Sequence, residues 1–182
     1  MLENSRIMNI ERLFNTMELM GIIVTLMMAF VFQIVLKELP CPLCLLQRIG
    51  FLGIAFGFLM NLRFGLRPSH YAMVLLSALY TSFVALRQIS LHVIPGTGSY
   101  GNAIFGLHLY TWSFIISMII VVVTTIMLGV DRQYQIRGTD VLFTKTAKII
   151  AAILFILLVA NIISVLFECG LMACPDNPTH YL

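Results

Sequence analysis

The chain has 182 residues, of which 60% are hydrophobic and 10% are charged, and its formal net charge is +3. A soluble core of this size cannot bury so much apolar surface, so the composition excludes a water-soluble globular protein and indicates an integral membrane protein. The charged residues form no basic patch interleaved with aromatic residues, so the sequence gives no indication of nucleic-acid binding.

Five apolar runs follow one another, each close to the roughly 20 residues that a helix needs to cross a bilayer. The sequence therefore predicts an all-α integral membrane protein with its two termini on opposite sides of the membrane. The first run is longer than a signal-peptide core of roughly 7 to 15 residues, and no small-residue cleavage site follows it, so we expect it to be retained. The predicted spans are residues 19–36, 44–62, 71–91, 107–130 and 149–167.

The distribution of Lys and Arg predicts the orientation, because cytoplasmic loops are enriched in these residues. An N-terminus inside the cell places most of them on the cytoplasmic side and leaves three outside. The cytoplasmic set is Arg6, Arg12, Arg63, Arg67, Arg132, Arg137, Lys145 and Lys148, and the outer set is Lys37, Arg48 and Arg87. We therefore expect one transmembrane domain over residues 1–182, with residues 168–182 as an outer tail.

The segments between the spans have their own signals. Residues 1–16 mix charged and apolar side chains, which predicts a short interfacial helix ahead of the first span. Residues 131–145 are predicted to form a polar cytoplasmic loop. Residues 92–106 contain a proline and several glycines, so we expect an irregular outer segment.

The four cysteines form two close pairs, Cys41 with Cys44 and Cys169 with Cys174, each next to one end of an apolar run. A C-x-x-C pair suits dithiol–disulfide exchange because its two sulfurs can close a small ring. The predicted orientation places both pairs outside, where disulfides persist. Two other interpretations stay open: the first pair is half of a structural zinc site, or the tail pair is a static disulfide.

The start of the second span brings a cation to the first cysteine pair. Residues 49–62 are too few to cross about 30 Å of hydrocarbon, so the helix is expected to begin near Cys44. Arg48 then lies one turn from Cys44 on the same face, where the helix dipole and the cation both stabilise a thiolate. The same length argument places Arg87 at the outer end of the third helix. Each arginine has the alternative of reaching lipid head groups.

Two histidines and three aromatic residues are expected at the outer ends of the helices. His92 and His108 lie at the depth of the arginines, where a histidine either hydrogen-bonds a polar head group or only contacts water. Tyr100, Tyr110 and Trp112 are interpreted as an aromatic belt at the membrane interface rather than as a cofactor site.

The segment Cys-Pro-Leu-Cys-Leu-Leu-Gln-Arg at residues 41–48, at the opening of the second span, resembles the signature of the DsbB family. Members of this family are bacterial inner-membrane quinone reductases that reoxidise the periplasmic thiol oxidase DsbA. Arg87-Gln88 with His92, and the segment at residues 106–112, are similar to the corresponding family segments. The resemblance covers roughly residues 15–130.

The resemblance implies a DsbB-like four-helix transmembrane bundle, here with an added fifth helix, in the bacterial inner membrane with its cysteine pairs facing the periplasm. It makes Cys41 and Cys44 the quinone-linked pair and places Arg48 near the quinone head group, with Arg87 and His92 as further contacts. The implied cofactor is a membrane quinone, either ubiquinone or menaquinone. The implied partner is a DsbA-like periplasmic thioredoxin-fold protein.

The chain departs from the family pattern in its second cysteine pair. The best-known members carry that pair between helices three and four, whereas residues 92–106 contain no cysteine here. Cys169 and Cys174, which follow the fifth helix, are expected to take over the partner-facing role. Alternatives are an oxidoreductase like vitamin K epoxide reductase, whose expected fold and loop pattern match less well, and a non-enzymatic membrane protein with inert disulfides.

Overall fold

The computed structural model of the protein describes residues 2–36, 40–93, 103–134, 141–170 and 172, with the backbone alone for residues 2–10, 132 and 141–144. These ranges contain five α-helices and no strand, and every helix is long and apolar enough to cross a membrane. The all-helical membrane bundle is therefore confirmed. The helices are α1 (Leu2–Val35), α2 (Pro42–Phe64), α3 (Pro68–His92), α4 (Leu109–Leu128) and α5 (Val141–Cys169), with a 3-10 helix over Asp131–Tyr134.

The first and last helices are longer than the apolar runs that predict them. The interfacial helix expected over residues 1–16 is instead the first part of the continuous helix α1. Helix α5 begins at Val141, so the loop predicted for residues 131–145 is shorter than expected. Hydropathy locates the part of a helix that lies in the membrane, but a helix continues through polar residues until a helix-breaking residue or a turn ends it.

Helix α2 is central to the bundle and packs against α1, α3 and α5. Three glycines, Gly50, Gly53 and Gly57, allow its close approach to α3. A Cβ atom at Gly57 would lie 2.6 Å from Val74 Cγ2, and one at Gly50 would overlap the hydroxyl of Thr81. Small residues at a helix contact let the two backbones come close together. This packing brings Gln88, near the end of α3, against the start of α2.

The bundle has a buried polar cluster at each end. We call the end where α2 begins and α5 ends the cysteine end. At the opposite end, Asn15 Nδ2 donates to the Tyr71 hydroxyl over 2.8 Å, and that hydroxyl donates to Gln133 Oε1 over 3.0 Å. Asn61 Nδ2 donates to Asn15 Oδ1 over 2.9 Å. These hydrogen bonds tie α1, α2, α3 and the 3-10 helix together.

Candidate functional site

The first cysteine pair forms the N-terminus of α2. Cys41 is the N-cap residue, and its Sγ accepts a hydrogen bond from the Cys44 backbone N–H over 3.2 Å. Pro42 occupies the first helical position, where its fixed φ is favourable and its missing N–H costs nothing. The helix therefore begins two residues before the predicted Cys44. Cys44 still lies in the first turn, where the helix dipole favours a thiolate.

Both residues of this pair are free thiols, and their Sγ atoms lie 2.6 Å apart. The hydrogen bond between the sulfurs, together with burial, raises the pKa of Cys41 above its usual range. Either sulfur can donate the hydrogen in this contact, and the sulfur that accepts it is favoured in its negatively charged form.

A buried pair of glutamines holds the two sulfurs. Gln88, which is fully buried, donates from Nε2 to Cys41 Sγ over 3.0 Å and to Cys44 Sγ over 3.4 Å. Gln47 Nε2 donates to Gln88 Oε1 over 2.7 Å. With Gln47 donating through Nε2, the oxygen of Gln88 accepts this bond and its NH2 group faces the sulfurs. The amide donors therefore point at the atoms that carry charge during thiol exchange.

Arg48 is buried in the protein, with 7% of its surface exposed. Its Nη1 donates to Gln33 Oε1 over 2.6 Å, its Nη2 donates to the Ala29 carbonyl over 3.0 Å, and its guanidinium lies 4.7 Å from the ring centre of Phe30. All three partners belong to α1. Arg48 is therefore held inside the bundle by a neighbouring helix and does not simply extend to lipid head groups.

The end of α5 is linked to this arginine. Gln33, which binds Arg48 with its oxygen, donates from Nε2 to Ser164 Oγ over 2.7 Å. Glu168 is 2% exposed, and its Oε2 has no hydrogen-bond partner among the described residues. Cys169, the next residue, is 4% exposed and disulfide-bonded. The fifth helix thus brings one cysteine of the second pair to the same end of the bundle as the first pair.

A cleft of about 380 Å³ opens beside the first cysteine pair, between α1, α2, α4 and the turn at residues 104–107. Its walls are mainly apolar, with side chains such as Phe32, Phe51 and Ile116. A smaller set of polar or amphipathic side chains is interspersed among them. This set is Thr25, Gln33, Cys44, Gln47, Arg48, Tyr110, Trp112 and Ser113. Apolar walls with a few directed polar groups are typical of cofactor and ligand sites.

The rim of the cleft is a tight turn. Ile104 and Leu107 exchange two backbone hydrogen bonds, of 2.8 and 3.1 Å, around Phe105 and Gly106, which both have positive φ. Trp112 Nε1 donates to the Ile104 carbonyl over 3.0 Å and so fastens the turn to α4. Residues 92–106 were expected to be irregular throughout, but residues 104–106 belong to this structured turn.

The aromatic and histidine residues of this end lie around Tyr110. Tyr110 and Trp112 line the cleft, in addition to the belt position that the sequence predicts for them. His108 stacks on Tyr110 with ring centres 5.3 Å apart, and His92 lies 5.6 Å from the same ring. His92 does not itself line the cleft but contacts the ring of Tyr110, which does. Tyr100 lies outside the described residues.

The remaining candidate residues are not brought into the cleft wall. Arg87 is exposed and does not line the cleft, whereas its neighbour Gln88 contacts both sulfurs. Cys174 and most of the predicted tail lie outside the described residues.

Sequence reasoning assigned no role at the site to three glutamines, Gln33, Gln47 and Gln88, or to Glu168. The signal was present, because an amide or carboxylate inside an apolar membrane-spanning run needs a polar partner. What the sequence does not show is which polar groups find one another, since that depends on how the helices pack.

Comparisons with known proteins identify the family. The family model described as disulfide bond formation protein DsbB matches residues 11–100, about half of the chain. The match contains α1 from residue 11 onward, α2 and α3, with the C-x-x-C pair, Arg48 and Gln88. It favours the resemblance to DsbB over one to vitamin K epoxide reductase. No curated protein and no solved structure matches the chain. With the cysteine pair opening the second of five membrane-spanning helices, the chain belongs to the DsbB family of membrane disulfide oxidoreductases.

Proposed function

We propose that this protein oxidises the dithiol of a DsbA-like thioredoxin-fold protein and transfers the two electrons to a membrane quinone. The observation that carries the proposal is that Cys44 and Arg48 line one apolar cleft, with Cys41 hydrogen-bonded behind Cys44. Family membership supports the chemistry. The added helix and its cysteines supply the feature that distinguishes this chain from the general pattern.

The residues of the cleft suit a quinone. A quinone ring is flat and apolar with two carbonyl oxygens, and the cleft combines aromatic walls with the cation of Arg48 and the sulfur of Cys44. A bound quinone supplies a two-electron oxidant. The protein's own part is to keep water from the sulfur, to orient the thiols and to stabilise their charge with the donor of Gln88 and the positive charge of Arg48.

Electrons move through two disulfide exchanges. A thiolate of the partner attacks the Cys169–Cys174 disulfide, and the resulting mixed disulfide resolves into a partner disulfide and two tail thiols. These thiols reduce an oxidised Cys41–Cys44 pair in the same way, so one disulfide breaks for each that forms. Oxidation of Cys41 and Cys44 by quinone then restores their disulfide and releases two electrons and two protons.

The burial of Cys169 bears on where the partner attacks. With 4% of its surface exposed at the end of α5, Cys169 offers little access to a protein thiolate. Attack on Cys174 releases Cys169 as the leaving thiolate, at the end of the bundle that also holds the first pair. We therefore assign Cys174 the partner-facing role and Cys169 the role of passing electrons inward.

The orientation belongs to the same proposal. The described helix ends place Cys41, Cys44 and Cys169 at one end of the bundle, consistent with the distribution of Lys and Arg. With the N-terminus in the cytoplasm, that end faces the periplasm of a bacterial inner membrane, where a DsbA-like partner resides.

Removing each cysteine pair should block a different half of the reaction. A Cys169→Ser, Cys174→Ser variant should still consume quinone when dithiothreitol supplies electrons directly to the first pair, but it should fail with a reduced thioredoxin-fold oxidase. A Cys41→Ser, Cys44→Ser variant should consume no quinone with either donor, because the second exchange has no acceptor. Quinone absorbance follows the reaction, and thiol alkylation followed by mass measurement reports the state of each pair.

Two outcomes would contradict the proposal. Full turnover with the protein donor after removal of both tail cysteines would make the tail disulfide static. Failure of the unmodified protein to consume quinone with either donor would remove the quinone from the reaction altogether.

A further inference from the structure

We propose that the groove between α2 and α5, at the end opposite the cysteines, binds an anionic phospholipid such as phosphatidylglycerol. This groove has a volume of about 220 Å³ and is separate from the cleft beside Cys44. It lies where the family-matched part of the chain meets the added fifth helix. The inference does not depend on the proposed reaction.

The lining of the groove combines an apolar surface with two cations. From α2 come Phe56, Leu59 and Met60, followed by Arg63 in the last turn, and from α5 comes Lys148. Both cations are exposed, and no acidic side chain is among the described residues that line the groove. Among the described residues, therefore, no carboxylate lines the groove to neutralise the two cations.

This arrangement matches the two parts of a phospholipid. The apolar side chains of α2 can accept an acyl chain, while Arg63 and Lys148 lie where a phosphate would sit at the membrane surface. Basic pockets between transmembrane helices bind anionic head groups in this way. The Arg63 guanidinium lies 5.6 Å from the ring centre of Phe64, a cation–π contact that restricts its position.

A simpler explanation is that these cations are two separate snorkelling residues. The groove itself argues against it. On the α5 side, the small side chains of Ala147 and Ala151 leave the space that the groove occupies. Ala147 is only 2% exposed, so the two helices are in contact beneath the groove. Lys145, one turn before Lys148, is exposed as well but does not line the groove. It therefore provides a matched control on the same helix.

The test measures lipid bound to the purified full chain by native mass spectrometry in detergent, with added phosphatidylglycerol or phosphatidylcholine. Arg63→Gln and Lys148→Gln should each weaken retention of phosphatidylglycerol about fivefold, the effect of one Lys or Arg beside an anionic lipid. Lys145→Gln should bind it as the unmodified protein does. Excess inorganic phosphate should not displace it, because free phosphate lacks the acyl chain.

A neutral variant separates the groove from surface charge. Ala151→Leu keeps both cations but fills part of the groove, so it should also reduce retention of phosphatidylglycerol. Equal binding of the two lipids by the unmodified protein, or equal loss in all three charge variants, would overturn the proposal. Full retention by Ala151→Leu would do so too. Thermal unfolding in the same detergent without added lipid checks that each variant is folded, and the three charge changes lie on exposed side chains.

Discussion

Two buried polar clusters occupy opposite ends of one bundle, and both are built largely from the amide side chains of Asn and Gln residues. At the end away from the cysteines, Asn15, Asn61, Tyr71 and Gln133 bond to one another, and Gln133 Nε2 also donates to the Met127 carbonyl. Asn61 Oδ1 also contacts Nδ1 of His70 over 3.0 Å, so this cluster includes one titratable side chain. Its bonds join the helices, and none of its members lines the cleft beside Cys44.

At the cysteine end the amides bond to groups that can change. Gln88 donates to two thiols, Gln47 holds Gln88, and Gln33 holds the charged Arg48. Gln33, Gln47, Arg48 and one sulfur also line the cleft. The comparison shows that buried amides alone do not indicate a reactive site. They do so where they orient titratable groups at the wall of a cavity.

Apart from the cysteines themselves, Arg48 should give the largest effect among single substitutions at the cysteine end. Arg48→Ala removes a cation from the cleft and two charged hydrogen bonds, so kcat/KM for quinone should fall about 10- to 100-fold. Arg48→Lys should recover only part of this loss, because an ammonium cannot reproduce the planar fork that reaches Gln33 and Ala29 together. Steady-state quinone kinetics with a dithiol donor measure the effect. Unchanged kinetics in both variants would make Arg48 a structural residue, like those of the opposite cluster.

Gln88 should give a smaller effect of a different kind. Gln88→Leu removes the donors to both sulfurs, so kcat should fall about tenfold. Because Gln88 contacts the thiols but does not line the cleft, KM for quinone should stay the same. Arg87→Ala, which changes the exposed neighbouring residue, is the control and should leave both parameters unchanged. The reverse result would assign the role to Arg87, as the sequence alone suggested.

The sequence predicted the parts of this site that depend on one helix. The five spans, the opening of the second helix at the C-x-x-C pair and the shared face of Cys44 and Arg48 follow from helix length and periodicity. The Cys41 sulfur as N-cap could have been suspected from Pro42, which favours the first helical position. The predicted start at Cys44 was two residues late for this reason.

The parts that depend on packing could not be predicted in the same way. Gln88 reaches the sulfurs because Gly50 and Gly57 allow α3 to approach α2. Neither glycine indicates which residue of α3 will face the cysteines. Arg87 and Gln88 are adjacent in sequence but point about 100° apart on a helix, since each turn has 3.6 residues. Charge drew attention to the arginine, whereas the fold places the amide at the site.

Tyr71 belongs to the cluster at the end opposite the cysteines, and its substitution should give the smallest effect on turnover. Its hydroxyl accepts from Asn15 and donates to Gln133, so Tyr71→Phe leaves the ring in place and the Gln133 oxygen without that donor. The loss should lower the free energy of unfolding by about 1 kcal/mol, typical of a hydrogen bond between membrane helices. Denaturant titration in detergent measures this change, and quinone turnover at low temperature should equal that of the unmodified protein. If turnover fell while stability held, the two clusters would be functionally connected, and the far end of the bundle would take part in the chemistry rather than only hold the helices together.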